Sequence, residues 1–354
     1  MMKLLVTGGA GFIGSAFVRY VIDHLTSTRV VTLDKLTYAG NLENLLPVQA
    51  NPRHRFVHGD ICDELLVTSL LCDENIDVIV HFAAESHVDR SILRSHDFIE
   101  TNVRGTATLL EAARVAKVSR FLLVSTDEVY GDIEPPSEAD ETFPLKPSSP
   151  YSASKAAADL LALSFARTFK LPVVITRASN NYGPYQFPEK LIPLMIANAL
   201  EGRPLPVYGD GLQIRDWLYV DDHCRAILAV LSHGRDGEVY NVAGNCALPN
   251  REVIGRVLRS LEAPETLIRT VADRPGHDRR YAINAEKITR ETGFAPEVPF
   301  TVGLEKTVQW YRDNPEWVSR VRSGEYREFY RNNYEARMTD AVLNTRADTA
   351  GLNT

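Results

Sequence analysis

A short apolar run near the start of the chain, Lys3-Leu4-Leu5-Val6-Thr7, stops at three glycines spaced three apart, Gly8, Gly11 and Gly14. A stretch with helical periodicity, Phe12 to Leu25, begins among them. No other feature constrains the fold as tightly. A strand that turns straight into a helix needs backbone without a β-carbon, and the bare amides at the helix N-terminus can then approach a pyrophosphate. The usual dinucleotide pattern spaces its glycines two and then three apart, whereas both gaps here are three. Glycines also serve ordinary turns, so the triplet alone decides little. The second half of the pattern is nevertheless present. Val30-Val31-Thr32-Leu33 reads as a second strand and ends at Asp34, twenty residues after Gly14. A carboxylate there accepts hydrogen bonds from an adenosine ribose and repels a 2′-phosphate, which favours NAD over NADP.

The same rhythm continues. Strand-like runs at Arg55–His58, Asp77–Phe82, Phe121–Ser125 and Val173–Thr176 alternate with helical patterns near 12–25, 64–74, 97–116 and 151–169. The expected fold is an α/β, doubly wound parallel sheet of Rossmann type with a smaller C-terminal α/β substrate-binding domain. A chain of 354 residues is long enough for both. The first domain is expected over 1–178, with about 218–245 returning to it through Val239–Val242. The second is expected over 179–335, where proline and glycine become frequent, and 336–354 reads as a loosely ordered tail. Ligands of such sheets sit beyond the carboxyl ends of the strands. That rule selects Gly8–Gly14, Asp34–Thr37, Asp60–Ile61, Ala83–His87, Thr126–Glu128 and Ala178–Tyr182.

A net charge of −7 argues against nucleic acid or an anionic membrane as the main partner. A polyanionic ligand must therefore be held by local arginines and lysines. Cys62, Cys72, Cys224 and Cys246 form no CxxC pair, so they read as reduced thiols of a cytoplasmic protein. The N-terminal apolar run is too soon broken by glycine for a signal peptide, and no run reaches membrane-spanning length. No metal is expected: His54 and His58 stand four apart, but on a strand-like run rather than one helical face.

Two constellations carry chemistry. Tyr151 and Lys155, in Tyr151-Ser152-Ala153-Ser154-Lys155, share a helical face, where an ammonium beside a phenol would lower its pKa toward that of a general base. In Ser125-Thr126-Asp127-Glu128-Val129-Tyr130-Gly131 an apolar strand ends in a hydroxyl and two carboxylates. Two carboxylates in one enclosed site can divide into a protonated acid and an ionised base, as an elimination of water requires. Sequence alone leaves open which is which.

The Tyr/Lys spacing and the glycine triplet resemble those of the extended short-chain dehydrogenases/reductases. From Met2 to about Arg337 the chain closely resembles one branch, the dTDP-glucose 4,6-dehydratases. The resemblance rests on Asp34-Lys35-Leu36-Thr37-Tyr38-Ala39-Gly40-Asn41, on Ala83-Ala84-Glu85-Ser86-His87-Val88-Asp89-Arg90-Ser91 and on Ser125–Gly131. It extends through Asn180–Tyr185, Phe187–Pro193 and Gln213-Ile214-Arg215-Asp216-Trp217 to Ala272-Asp273-Arg274-Pro275-Gly276-His277-Asp278-Arg279-Arg280-Tyr281.

That resemblance implies conversion of dTDP-glucose to dTDP-4-keto-6-deoxyglucose and water, with tightly bound NAD recycled in the site. Tyr151 would take the 4-hydroxyl proton, Lys155 would hold the nicotinamide ribose and Thr126 would bond the 4-oxygen. Glu128 would remove the C5 proton and Asp127 would protonate the departing 6-hydroxyl. NAD contacts are implied for Gly8, Gly11, Phe12, Ile13, Gly14, Asp34, Lys35, Thr37, Asp60, Ile61, Ala83, Ala84, Ser86, Thr101, Tyr151, Lys155 and Asn181. Nucleotide-sugar contacts are implied for Ser86, His87, Thr126, Asn180, Glu189, Lys190, Leu191, Pro206, Tyr208, Arg215, Asn250, Arg274, His277 and Tyr281.

The competing readings are another NAD-dependent nucleotide-sugar enzyme, a 4-epimerase or UDP-glucuronate decarboxylase, and a non-catalytic NAD-binding sensor. The Asp127-Glu128 pair argues against the first, because neither reaction expels water from C6. The intact Tyr151 and Lys155 argue against the second. A homodimer through a four-helix bundle is also expected. Residues 97–116 and 151–169 carry apolar residues on more than one face: Phe98, Ile99, Val103, Leu109, Leu110 and Ala113 on one, Ala156, Leu160, Leu161, Leu163 and Phe165 on the other.

Overall fold

The structure is a computed structural model that describes residues 2–322. The expected tail, 336–354, lies outside the described residues. The chain opens β1 (Met2–Thr7), α1 (Phe12–His24), β2 (Thr28–Asp34), β3 (His54–His58), α2 (Glu64–Glu74) and β4 (Val78–His81). It continues α3 (Val88–Leu93), α4 (Ser95–Phe98), α5 (Thr106–Ala116), β5 (Arg120–Thr126), α6 (Pro150–Phe169) and β6 (Val173–Ala178). Then come β7 (Asn180–Tyr182), α7 (Leu191–Leu200), β8 (Leu205–Tyr208), β9 (Ile214–Tyr219), α8 (Val220–His233) and β10 (Val239–Val242). The last are β11 (Ala247–Pro249), α9 (Asn250–Leu261), β12 (Ile268–Val271), α10 (Glu286–Thr292), α11 (Phe300–Asp313) and α12 (Pro315–Val321).

Seven parallel strands form the main sheet in the order β10-β6-β5-β4-β1-β2-β3. Successive side chains on a strand point to opposite faces, and both faces here are covered. Leu4, Val6, Val80, Leu122 and Val124 pack with α1 and α8. Leu5, Ile79, Phe121, Leu123 and Ile175 pack against α2, α5 and α6. This is why the inner strands read as apolar runs, unlike the edge strand β3. β10 joins the sheet beside β6, and α8 and α10 pack on the α1 face, so Val220–Val242 and Ile288 belong to this layer although the chain has already visited the second lobe. That lobe has its own core, drawn from α7, α9, α11 and the strands β8 and β9. A three-stranded sheet (β11-β9-β7) and a two-stranded one (β12-β8) carry it.

Three details depart from the sequence reading. β6 runs beyond the apolar run, through Arg177, because that buried guanidinium has partners: it bonds Asp159 of α6 at 2.8 Å and the Tyr130 hydroxyl at 2.9 Å. The helical stretch from 97 is continuous but not uniformly α. A π-turn spans Ile99–Gly105, and its Asn102 ties the loop after β4 to α6, bonding Glu85 O at 3.0 Å and Ser154 Oγ at 2.8 Å. Finally, Leu109, Leu110 and Ala113, read as surplus apolar surface, are buried against the sheet, and Phe98 packs edge-on against Tyr151. Among the apolar side chains left exposed on this side are Ile92, Leu93, Ile99 and Leu160, with Val115 and Phe169 toward the helix ends and Leu65 on α2.

The Asp159–Arg177 pair ties α6 to the sheet. Breaking a buried pair by removing one partner typically costs about 3–5 kcal/mol, because the other charge stays buried. Asp159→Ala should lower unfolding free energy by that order in urea titration. A loss as small as that of an exposed pair, under about 1 kcal/mol, would show that Arg177 finds compensation elsewhere.

Candidate active site

The carboxyl ends of β1, β2, β4, β5 and β6 open into one cavity, and the second lobe closes a second cavity against it. Every residue implied above as an NAD contact lines the first. The nucleotide-sugar set divides between them: Ser86 and Thr126 face the first, Asn180, Glu189 and Lys190 face both, and the remainder line the second. Glu128 also faces both, so the Thr126-Asp127-Glu128 run stands at their junction.

The first cavity fits a dinucleotide. Gly8 has a left-handed φ of +69°, and a β-carbon there would lie 2.5 Å from Ala83 N; one on Gly14 would lie 2.3 Å from Gly8 O. The turn itself demands these two glycines. Gly11 differs: its β-carbon would meet only Gly8 O, at 3.3 Å, and would otherwise stand in open space at the mouth of α1. No side chain caps that helix N-terminus, so its amides stay available to an anion. Asp34 holds the turn from the neighbouring strand, accepting from Ala10 N at 2.9 Å and Leu36 N at 2.8 Å, and burial pushes its pKa up.

At the end of β5 the two carboxylates are treated differently. Asp127 is 3% exposed. One of its oxygens takes the Thr126 hydroxyl at 3.3 Å, and the other has no protein partner. Burial first, and Glu128 beside it second, push its pKa well above the carboxylate range. Glu128 is only half-buried and faces the cavities. The asymmetry that sequence left open is thus set by solvent access.

Tyr151 and Lys155 share one face of α6, but the ammonium does not lower the phenol here. Lys155 Nζ donates to Val124 O at 2.8 Å, and burial brings its pKa down to about 8. Burial and Glu128 raise the phenol, and the Thr126 hydroxyl works the other way. The expectation of a depressed phenol fails because desolvation outweighs the helical neighbour.

The second cavity concentrates cations in an acidic chain. Lys190 Nζ bonds Ser86 O at 2.6 Å. Arg274 pairs with Asp89 at 3.1 Å. Arg215 stacks 4.0 Å over the Tyr281 ring and bonds Asp278 O at 2.9 Å. Such a set suits a diphosphate. Arg90 and Glu189 pair at 3.2 Å under the ring of Tyr38, joining the loop after β2 to the second lobe. Burial pushes Glu189 up to about 7 against the pull of Arg90.

Sequence reasoning gave no role to Asp89, Gln213 or His223. Asp89 is held low despite burial, with Tyr208 donating to it at 2.7 Å beside Arg274. It lay inside a quoted motif, but only the fold brings Tyr208 and Arg274 to it. Among the described residues no His/Cys/Asp/Glu group is arranged to hold a metal, and no helix is long and apolar enough to cross a membrane. All four cysteines are free.

Comparison with known proteins places these features. A family model described as GDP-mannose 4,6 dehydratase matches residues 5–307. The dTDP-glucose 4,6-dehydratase of Shigella flexneri is 51% identical, covering 95% of this chain and 100% of that protein. The dTDP-glucose 4,6-dehydratase of Neisseria meningitidis serogroup B is 53% identical, covering 92% and 98%. The crystal structure of DesIV, a dTDP-glucose 4,6-dehydratase of Streptomyces venezuelae with NAD bound, superposes with a TM-score of 0.88 at 54% identity, covering 90% of this chain and 100% of that one.

Three buried histidines underlie the site. His81 sits between the Thr7 and Thr106 hydroxyls at 2.7 and 3.0 Å, His223 meets Asn181 at 2.9 Å, and His87 heads α3. Burial lowers all three to about 3. Unfolded histidine titrates near 6.5. The unfolded chain therefore gains protons below pH 6.5 that the folded chain refuses down to about 3, and stability falls as pH falls through that window. Each contributes a slope of about 1.4 kcal/mol per pH unit. His223→Gln should remove that much from the acid slope of unfolding free energy; an unchanged slope would mean His223 is protonated in the fold.

Proposed function

The chain belongs to the dTDP-glucose 4,6-dehydratases of the extended short-chain dehydrogenase superfamily, and on that premise we propose how its own residues convert dTDP-glucose to dTDP-4-keto-6-deoxyglucose and water. One observation carries the reading: a sealed Asp127, one of its oxygens without a protein partner, stands beside a half-buried Glu128 where the two cavities meet. NAD, when bound along the glycine turn, takes a hydride from the sugar C4 and later returns it to C6.

Lys190, Arg215 and Arg274 hold the nucleotide diphosphate and lay the glucose across the junction. Tyr151 takes the 4-hydroxyl proton, with Thr126 bonding the same oxygen and Lys155 directed at the nicotinamide ribose. Oxidation at C4 acidifies the C5 proton, and Glu128 removes it. Asp127, protonated because water is excluded from it, gives its proton to the departing 6-hydroxyl. A 4-epimerase or decarboxylase has no use for this pair, and a non-catalytic sensor has none for a desolvated acid. The reduced cysteines and biosynthetic chemistry suit the cytoplasm.

The test is incubation with dTDP-glucose in heavy water. The parent enzyme should release a product lighter by one water. Asp127→Asn should lose about 10²–10⁴-fold in that product, while solvent deuterium still enters C5 of the recovered substrate. Glu128→Gln and Tyr151→Phe should give neither product nor deuterium. Deuterium entering C5 with Glu128→Gln, or full dehydration with Asp127→Asn, would remove these assignments.

We further infer a homodimer through the helical segments 97–116 and 151–169. The exposed Ile92, Leu93, Ile99 and Leu160 project from this one side of the sheet, and an apolar surface of this kind is stabilised by a partner. Sedimentation at micromolar concentration should give twice the chain mass, and Leu160→Arg should shift it toward the monomer. A monomeric parent enzyme would refute this.

A further inference from the structure

A chain of polar groups leads away from Glu128. The Tyr281 hydroxyl stands 3.5 Å from Glu128 Oε2 and 2.9 Å from Asp278 Oδ2. Asp278 in turn accepts from the hydroxyl of Ser148, which is exposed. Tyr281 and Asp278 are themselves buried, at 4% and 7% exposure. The arrangement is held from several sides. Arg215 covers the Tyr281 ring and bonds the Asp278 carbonyl. Gly276, at φ +62°, lets the 275–278 loop pass so close to Ser148 that a β-carbon would lie 2.9 Å from Ser148 O. Two carboxylates thus share one hydroxyl, one of them at the reacting carbon and the other one residue from solvent.

We propose that Tyr281, Asp278 and Ser148 form a proton relay that exchanges the proton of Glu128 with solvent while the sugar occupies the site. This rests on the assignment of Glu128 as the C5 base. When the C5–H bond breaks, its proton goes to the Glu128 carboxylate. Glu128 then passes a proton to the Tyr281 oxygen as Tyr281 passes its own to Asp278. Glu128 ends as carboxylate, Asp278 as acid and Tyr281 unchanged; Asp278 releases the proton to water at Ser148. The same path in reverse supplies the proton that C5 regains when C6 is reduced. Asp278 is a positioning and relay residue, since it does not line either cavity. A relay is needed because a bound nucleotide sugar and cofactor fill the two cavities that Glu128 faces.

The test uses dTDP-glucose deuterated at C5, turned over in ordinary water. The parent enzyme should release product carrying mostly solvent protium at C5. Tyr281→Phe keeps the ring under Arg215, and Asp278→Asn keeps the shape. Both should retain severalfold more of the original deuterium per turnover, because Glu128 returns the proton it took. Asp278→Glu, which restores a carboxyl, should bring the washout back toward the parent level. A purely structural or substrate-binding role would change KM or turnover and leave this isotope partition alone. If the parent enzyme releases no dehydrated product, the assignment of Glu128 and the relay fall together. If it does, and both variants wash out deuterium as completely as the parent, the relay alone is wrong.

Discussion

Burial of the parallel sheet on both faces is the constraint on which the rest depends. With Leu4 and Val6 packed to one side and Leu5 to the other, the central strands have no polar face. Their unpaired polar ends, and the residues just beyond them, are where chemistry can sit. The glycine turn, Asp34, the Ala83–Ser86 loop and Thr126–Glu128 all lie on that one edge. The second lobe has no catalytic strand end of its own. It contributes cations, and it meets the edge at Glu128.

Desolvation then sorts residues of the same type into different states. Asp127 and Glu128 are adjacent in sequence, yet one is sealed and pushed toward its protonated form while the other keeps access to the cavities. Asp159 is fully buried but faces Arg177 at 2.8 Å, and the pair serves as a tie between α6 and β6. Asp89 is buried beside Arg274 and Tyr208 and is held low. Four aspartates and glutamates thus differ through their neighbours and their water, not through their chemistry. The same holds for the tyrosines. Tyr151 is raised by burial and Glu128, so its proton affinity is set by what shares its pocket and not by Lys155 alone.

Much of the site was legible because it is local. The strand-glycine-helix turn, the acidic end of the second strand and the Thr-Asp-Glu run are each a few residues long. A strand ending in such residues places them on one edge whatever the rest of the chain does. The α6 pair is equally local, since a spacing of four fixes two side chains on one helical face. The π-turn at Ile99–Gly105 was not legible, because it accompanies Asn102 reaching Glu85 and Ser154 rather than any pattern in its own residues. Arg177 hid the end of β6 for the same reason: a charge inside a strand is tolerated only with a partner, and Asp159 is supplied by another helix.

By itself the sequence determined the α/β alternation, the dinucleotide turn, the candidate reacting side chains and the family to which the chain belongs. These follow from periodicity, glycine geometry and short motifs, all of which act over neighbouring residues. Tertiary structure alone decided which carboxylate is sealed from water, which apolar side chains of α5 face the sheet and which stay outside, and that Tyr281 stands between Glu128 and Asp278. Each of those depends on segments far apart in the chain arriving at one point. Solvent exclusion there is a property of the packed surroundings, and no single residue carries it.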